Sequence, residues 1–144
     1  MIKDSFEFCA RAVIERRGKV LACWSRAGNH YFFPGGHVNF GETAEEALSR
    51  ELKEELKIKI GKMKFIGTNE NIYTENKKRH HEINAVFSVA AASVSEKSRE
   101  DHIDFTFMTR EEFKKSKVLP LVLQKAVLGW LKDRKLFWAS RRVG

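Results

Sequence analysis

Apolar and polar residues alternate through "FEFCARAVIE" (Phe6 to Glu15), break at the turn-like "RRGK", and give way to the apolar "VLACW" (Val20 to Trp24). This period of two around a glycine turn predicts two strands of a hairpin. "SRAGNHYFFPGGH" interrupts the periodicity with Gly28, Pro34, Gly35 and Gly36, which predicts a loop holding a short strand around Tyr31 to Phe33. From Thr43 to Lys57 the apolar spacing becomes helical. "KMKFIGTNENIYT" and "EINAVFSVAAA" then read as β runs joined by the polar turn "ENKKR", a second hairpin. The polar "SVSEKSRED" reads as a loop, "IDFTFM" as a strand and "TREEF" as a short capped helix. In "LPLVLQKAVLGWLKD", Pro120 stands at a first helical position ahead of helically spaced apolar residues, and the tail "RRVG" is expected to fray. Strands on both sides of a central helix, with a second helix at the end, predict an α/β fold in which a mixed sheet is covered by helices.

The chain has 144 residues and 42% hydrophobic content with eleven phenylalanines, enough for one domain spanning residues 1–144 with a proper core. No repeat or linker divides it. Cys9 and Cys23 lie in apolar runs without ligand or redox spacing, so they read as small buried hydrophobes in a reducing compartment. The start "MIKDSFEFCARAV" has no long apolar region, and no apolar run approaches the ~20 residues that span a bilayer. A cytoplasmic protein without a membrane partner is expected. The formal net charge of +8 suits an anionic partner, a nucleotide or nucleic acid, and equally serves solubility.

Against that basic background, six glutamates gather in "GHVNFGETAEEALSRELKEELKI", residues 36–58. Thr43 followed by Glu46 fits a capping box, which makes Thr43 the N-cap. At about 100° per residue, Leu48, Leu52 and Leu56 fall in one sector and Glu51, Glu54 and Glu55 in the next, with Glu46, Ser49, Lys53 and Lys57 on the solvated side. Ion pairs from Glu46 to Arg50 and from Arg50 to Glu54 would each stabilise the helix by ~0.2–0.5 kcal/mol, but the like charges at spacings of three and four cost similar amounts. Something must offset that repulsion, and clustered carboxylates suit Mg²⁺ or Mn²⁺. The "FPGG" at Phe33 to Gly36 brings backbone close to the helix, where its carbonyls and amides can address a metal and phosphate oxygens; a plain tight turn is the alternative.

These residues resemble the Nudix box: Gly36, Glu42, Arg50, Glu51, Leu52, Glu54, Glu55 and Ile58 stand at its spacing, with the typical "FPGG" before it. Lys57 replaces the usual final glycine, which normally ends the helix in a left-handed turn. The resemblance implies an α/β/α sandwich with a mixed sheet. It also implies a pyrophosphohydrolase that cleaves a nucleoside diphosphate linked to another moiety. By the same resemblance, Glu51, Glu54, Glu55 and the Gly36 carbonyl would hold Mg²⁺ or Mn²⁺, Arg50 would orient the glutamates, and Glu42 would support from outside. The catalytic set is then Arg50, Glu54 and Glu55 with a general base that is either a box glutamate or a loop acid. Asp101 is the first choice for that acid, with Glu100 and Asp104 beside it.

Beyond the box, Gly35 and Gly36 are candidates for phosphate contact. Glu82 opens a strand beside the site and is a further substrate-binding candidate, or else an edge-strand carboxylate paired with a lysine. His80 and His81 should point to opposite sheet faces, which argues against shared ligation. Arg26 is a candidate phosphate contact or a solvated arginine. Tyr31, Phe33 and Tyr73 either stack on a base or pack in the core. A small nucleotide, a nucleoside triphosphate or nucleotide sugar, is the leading substrate. The alternatives are an RNA 5′-end hydrolase and a catalytically silent nucleotide-binding or nucleic-acid-binding module. The dispersed basic residues disfavour RNA, and the intact acids disfavour the silent module. The apolar "LFWAS" is a homodimer contact or packs on the core.

Overall fold

A computed structural model describes residues 3–56, 59–91 and 103–143. The first strand, β1 (Lys3–Val13), carries small or apolar residues on both faces of its second half: Cys9, Ala10, Ala12 and Val13 are all buried. That composition suits an interior strand. β1 runs parallel to β7 (Lys78–Ala91) on one side and antiparallel to β5 (Gly35–His37) on the other. The chain then leaves this sheet at Ile14. Only β2 (Glu15–Arg16) forms the expected hairpin with β3 (Lys19–Ser25), across Arg17 and Gly18, both at positive φ. Alternation announced the strand; it could not reveal that most of it pairs elsewhere.

The second hairpin is as read: β6 (Ile60–Glu75) and β7 join antiparallel through Asn76 and Lys77, again at positive φ. The tail differs from expectation. β10 (Phe137–Arg142) pairs parallel with β6, and the Val143 amide donates to the Ile72 carbonyl, so the segment is held to Val143. Without β10, β6 would present an unpaired edge. Gly67 admits it, since a Cβ there would lie 2.5 Å from the Phe137 ring. "LFWAS" therefore contributes a strand, with Phe137 packed against the core and Trp138 exposed.

The strand order is β10-β6-β7-β1-β5 in this first sheet. A second sheet contains β2, β3, β4 (His30–Phe32) and β9 (Val118–Leu119), with β8 (Ile103–Thr109) on the other side of β3. Two mixed sheets thus replace the single one expected. "SVSEKSRED" lies outside the described residues. Thr109 and Glu112 close a reciprocal capping box on α2 (Arg110–Lys115). Pro120 is the N-cap of α3 (Leu121–Asp133), one position earlier than predicted.

Helices cover both sides of the sheets. Leu48, Leu52 and Leu56 of α1 (Ala44–Leu56) pack with Ala10, Ala12, Leu21 and Phe87, while Phe113 of α2 and Leu123, Val127 and Trp130 of α3 form the other core with Val13, Phe33 and Val86. This is the α/β/α sandwich. Cys9 and Cys23 are buried free thiols within it. No helix among the described residues is long and apolar enough to cross a membrane.

Docking of α1 on the sheets sets the position of the acidic helix. Leu52→Ala should therefore lower unfolding free energy by ~2–5 kcal/mol in urea titration; a loss within ~0.5 kcal/mol, the range of ordinary surface substitutions, would mean that the helix is not anchored by its leucine seam.

Candidate active site

The capping box forms as predicted: the Thr43 amide donates to Glu46 Oε1 and the Glu46 amide to Thr43 Oγ1, both at 3.1 Å. With the helix start set there and the leucines facing the core, the three glutamates fall into different surroundings. Glu55 borders the seam and is only 4% exposed. The Glu51 side chain is 19% exposed and that of Glu54 54%.

Glu51 and Glu55, one helical turn apart, face the glycine strand β5. A Cβ on Gly36 would stand 2.6 Å from Glu51 Cδ and within 2.9 Å of both its oxygens, so the carboxylate occupies space that only glycine leaves open. Gly35, at φ 134°, would place a Cβ 2.0 Å from the Ala10 carbonyl oxygen. Its backbone hydrogen-bonds Glu55. The two glycines of "FPGG" thus open the strand β5 as bare backbone positions, while Phe33 and Pro34 precede it outside any strand.

Arg50 fastens the other side. Its Nε and Nη2 donate to the two Glu42 oxygens at 2.9 and 3.0 Å, Nη1 donates to Glu51 Oε1 at 2.8 Å, and Nη2 also reaches the His37 carbonyl. The Asn39 amide donates to Glu42 as well. These donors, Arg50 foremost, pull the Glu42 pKa down to about 2. Charge-assisted, forked contacts of this kind fix geometry as well as charge. Glu54 Oε2 lies 3.8 Å from Arg50 Nη1, the expected i to i+4 contact. Glu51 and Glu55 therefore face the glycine strand together, whereas Glu54 is the most exposed of the three and shares Arg50 Nη1 with Glu51. Among the described residues no three His, Cys, Asp or Glu side chains converge closely enough to hold a metal ion as they stand.

Burial acts most strongly on Glu55 and the nearby Glu51 charge adds to it. Together they push its pKa up to about 8, against the opposing effects of Arg11 and the Gly35 backbone.

The remaining candidates are dispersed. Arg26 makes a two-pronged pair with Asp104 at 2.9 and 2.7 Å, both side chains more than half exposed. Glu100 and Asp101 lie outside the described residues, as do Lys57 and Ile58. His80 bonds Glu7 and stacks on Tyr73, while His81 bonds Glu70 on the opposite face, as the sheet period requires. Glu82 faces a cleft of about 690 Å³ between the first sheet and the segments around Phe32 and Pro120. Tyr73 lines this cleft; Phe33 also borders it but is buried in the core, and Tyr31 packs against that core.

Sequence reasoning passed over Arg11, Asn69 and Asn84. Arg11 Nη1 donates to the Phe33 carbonyl at 3.0 Å and Nε to Asn84 Oδ1 at 3.3 Å. The available signal was the polar intrusion in two apolar runs, "CARAV" and "EINAVF".

The profile of the NUDIX domain matches residues 7–128. The chain belongs to the NUDIX domain family. The NUDIX fold is also evident in solved structures: a MutT NUDIX hydrolase from Burkholderia pseudomallei (20% identity, 87% of this chain and 97% of that one, TM-score 0.70) and a MutT protein from Bacillus halodurans (15%, 93% and 88%, 0.73). Over 61 residues the NUDIX chain is 39% identical to an RNA pyrophosphohydrolase of Edwardsiella ictaluri, covering 41% of this chain and 33% of the relative. A second, from Tolumonas auensis, is 41% identical over 61 residues, with 41% and 34% covered. The matched segment spans about a third of the length of these curated relatives.

The Glu55 proton gives a pH signature. With a folded pKa above its unfolded value, Glu55 contributes stability that is full below pH ~4.5 and is lost as pH rises through about 8. In chelator, thermal melting of the wild type should fall relative to Glu55→Gln across that window; parallel curves would show that Glu55 titrates normally.

Proposed function

We propose that this NUDIX chain is a hydrolase that uses water to cleave a phosphoanhydride bond in a nucleoside diphosphate joined to another moiety, with a nucleoside triphosphate or nucleotide sugar as substrate and Mg²⁺ or Mn²⁺ as cofactor. The observation that carries this reading is the pairing of Glu51 and Glu55 against the bare backbone of Gly35 and Gly36, with Arg50 bracing Glu51 from the opposite side.

The residues fit a hard divalent cation. Every donor is oxygen, the Gly36 cradle leaves the space a side chain would fill, and two crowded carboxylates gain from a cation what they lose to mutual repulsion. Glu51, Glu54, Glu55 and the Gly36 carbonyl would hold it, and once bound it neutralises the diphosphate and acidifies water.

The chain's own residues supply the rest. Arg50, clamped by Glu42, keeps the Glu51 oxygens aimed at the glycine strand. Glu54, the exposed member of the trio, takes the proton of the attacking water, with Asp101 as the alternative base. A bond forms from the water oxygen to one phosphorus, the bridging P–O bond breaks, and the leaving phosphate keeps its electron pair. Gly35 and Gly36 present backbone to phosphate oxygens, and Arg26 draws them in from the surface.

A second substrate class is RNA carrying a 5′ phosphate chain. The two relatives named RNA pyrophosphohydrolase favour it, as does the net charge of +8.

A phosphate-release screen over nucleoside triphosphates, nucleotide sugars, dinucleoside polyphosphates and triphosphorylated RNA, with and without Mg²⁺, tests the reading. Glu54→Gln should lower turnover by ~10²-fold or more while melting as the wild type does. Turnover equal to wild type would remove Glu54 from the mechanism, and silence of the wild type on every compound would overturn the hydrolase reading.

A further inference from the structure

The cleft on the inner face of the first sheet holds a carboxylate with an unusual foundation. Pairing registers place Arg11 and Cys9 of β1, Asn84 and Glu82 of β7, Asn69 and Asn71 of β6, and Arg141 of β10 on one face. Asn69 and Asn84 are completely buried. Asn84 Nδ2 donates to Glu82 Oε1 at 2.7 Å and to Asn69 Oδ1 at 2.8 Å, while its Oδ1 accepts from Arg11. Asn69 Nδ2 in turn reaches the carbonyls of Glu70 and Ala139 at 3.3 and 3.4 Å. Each amide is therefore committed in one orientation, and the sum of these commitments is that Glu82 Oε1 is held at the cleft wall.

Burying two carboxamides costs free energy unless every polar atom is paired, and a fully paired network rigidifies what it holds. Here it holds one side chain that borders open space. A carboxylate offers about four acceptor positions, and Asn84 uses one. At Glu82 the wall is thus an acceptor that attracts N–H. Phe32 and Tyr73 supply aromatic surface in the same cleft, with Arg141 and Lys117 also on its lining. An aromatic ring with an amino edge satisfies both features. Adenine, cytosine and guanine carry an exocyclic amine; a pyrimidine or purine with a carbonyl in that place sets oxygen against oxygen.

We propose that this cleft receives the nucleobase of the substrate and that Glu82, positioned by Asn84 and Asn69, selects bases that bear an exocyclic amine. The inference rests on the nucleotide-hydrolase reading for the identity of the ligand. Arg11, shared between Asn84 and the Phe33 carbonyl just ahead of Gly35, ties the base-reading wall to the glycine strand.

Two nucleotide pairs that exchange an amine for a carbonyl at one ring position test this: CTP against UTP, and ATP against ITP. The ratio of kcat/KM within each pair should favour the amine by roughly tenfold or more. Glu82→Gln, which can donate to a carbonyl, should collapse or invert both ratios. The wild-type ratios need no variant, so they decide the matter even if the substitution fails to fold. Calorimetric binding of CMP against UMP and AMP against IMP, in chelator, reads the cleft independently of turnover. Discrimination in binding without hydrolysis of any compound would sustain the base selection and sink the hydrolase reading. Brisk hydrolysis with ratios near one would do the reverse. Failure to bind any of the four monophosphates would overturn the base site.

Discussion

Two carboxylates, Glu51 and Glu55, stand one helical turn apart between a leucine seam and a strand whose nearest positions carry no side chains. Most of the site's organisation answers that crowding. The Gly36 backbone makes room, the Gly35 backbone hydrogen-bonds Glu55, and Arg50 supplies compensating charge from the solvent side. Burial still dominates at Glu55 and raises its pKa. A divalent cation held there would compete with the proton for the same oxygens, which would couple its occupancy to pH.

Arg50 spreads its guanidinium over Glu42, Glu51 and the His37 carbonyl, so one side chain connects the helix, the segment preceding it and β5. Lysine at this position would keep the charge and lose the fork. Arg11 performs a related service on the inner face. It links the Phe33 carbonyl, two residues before the glycine strand, to the buried asparagines and, through them, to the cleft. The acidic helix and the buried asparagines thus lie on opposite faces of β1.

Local patterns were legible where one element decided the outcome. The capping box at Thr43, the second hairpin, the short capped helix at Thr109 and the grouping of the leucines all follow from spacings within a few residues. The acidic trio was legible as one face, but not as three environments. Spacing places Glu51, Glu54 and Glu55 within about one sector, and only the neighbouring strand distinguishes the buried Glu55 from the exposed Glu54. Arg26 was marked for phosphate from its place beside the glycines, and its Asp104 partner lies 78 residues away.

The sequence by itself determined the periodicities, the turn chemistry, the charge of the helix and the family pattern, because each depends on covalent spacing and intrinsic backbone preference. Tertiary structure alone decided that the first strand belongs mainly to a sheet with β7, that the tail closes the edge of β6, and that Asn84 is the support of Glu82. Those outcomes are settled by which distant backbone edge needs a partner and which buried polar atom needs a donor, and such needs exist only once the chain has folded.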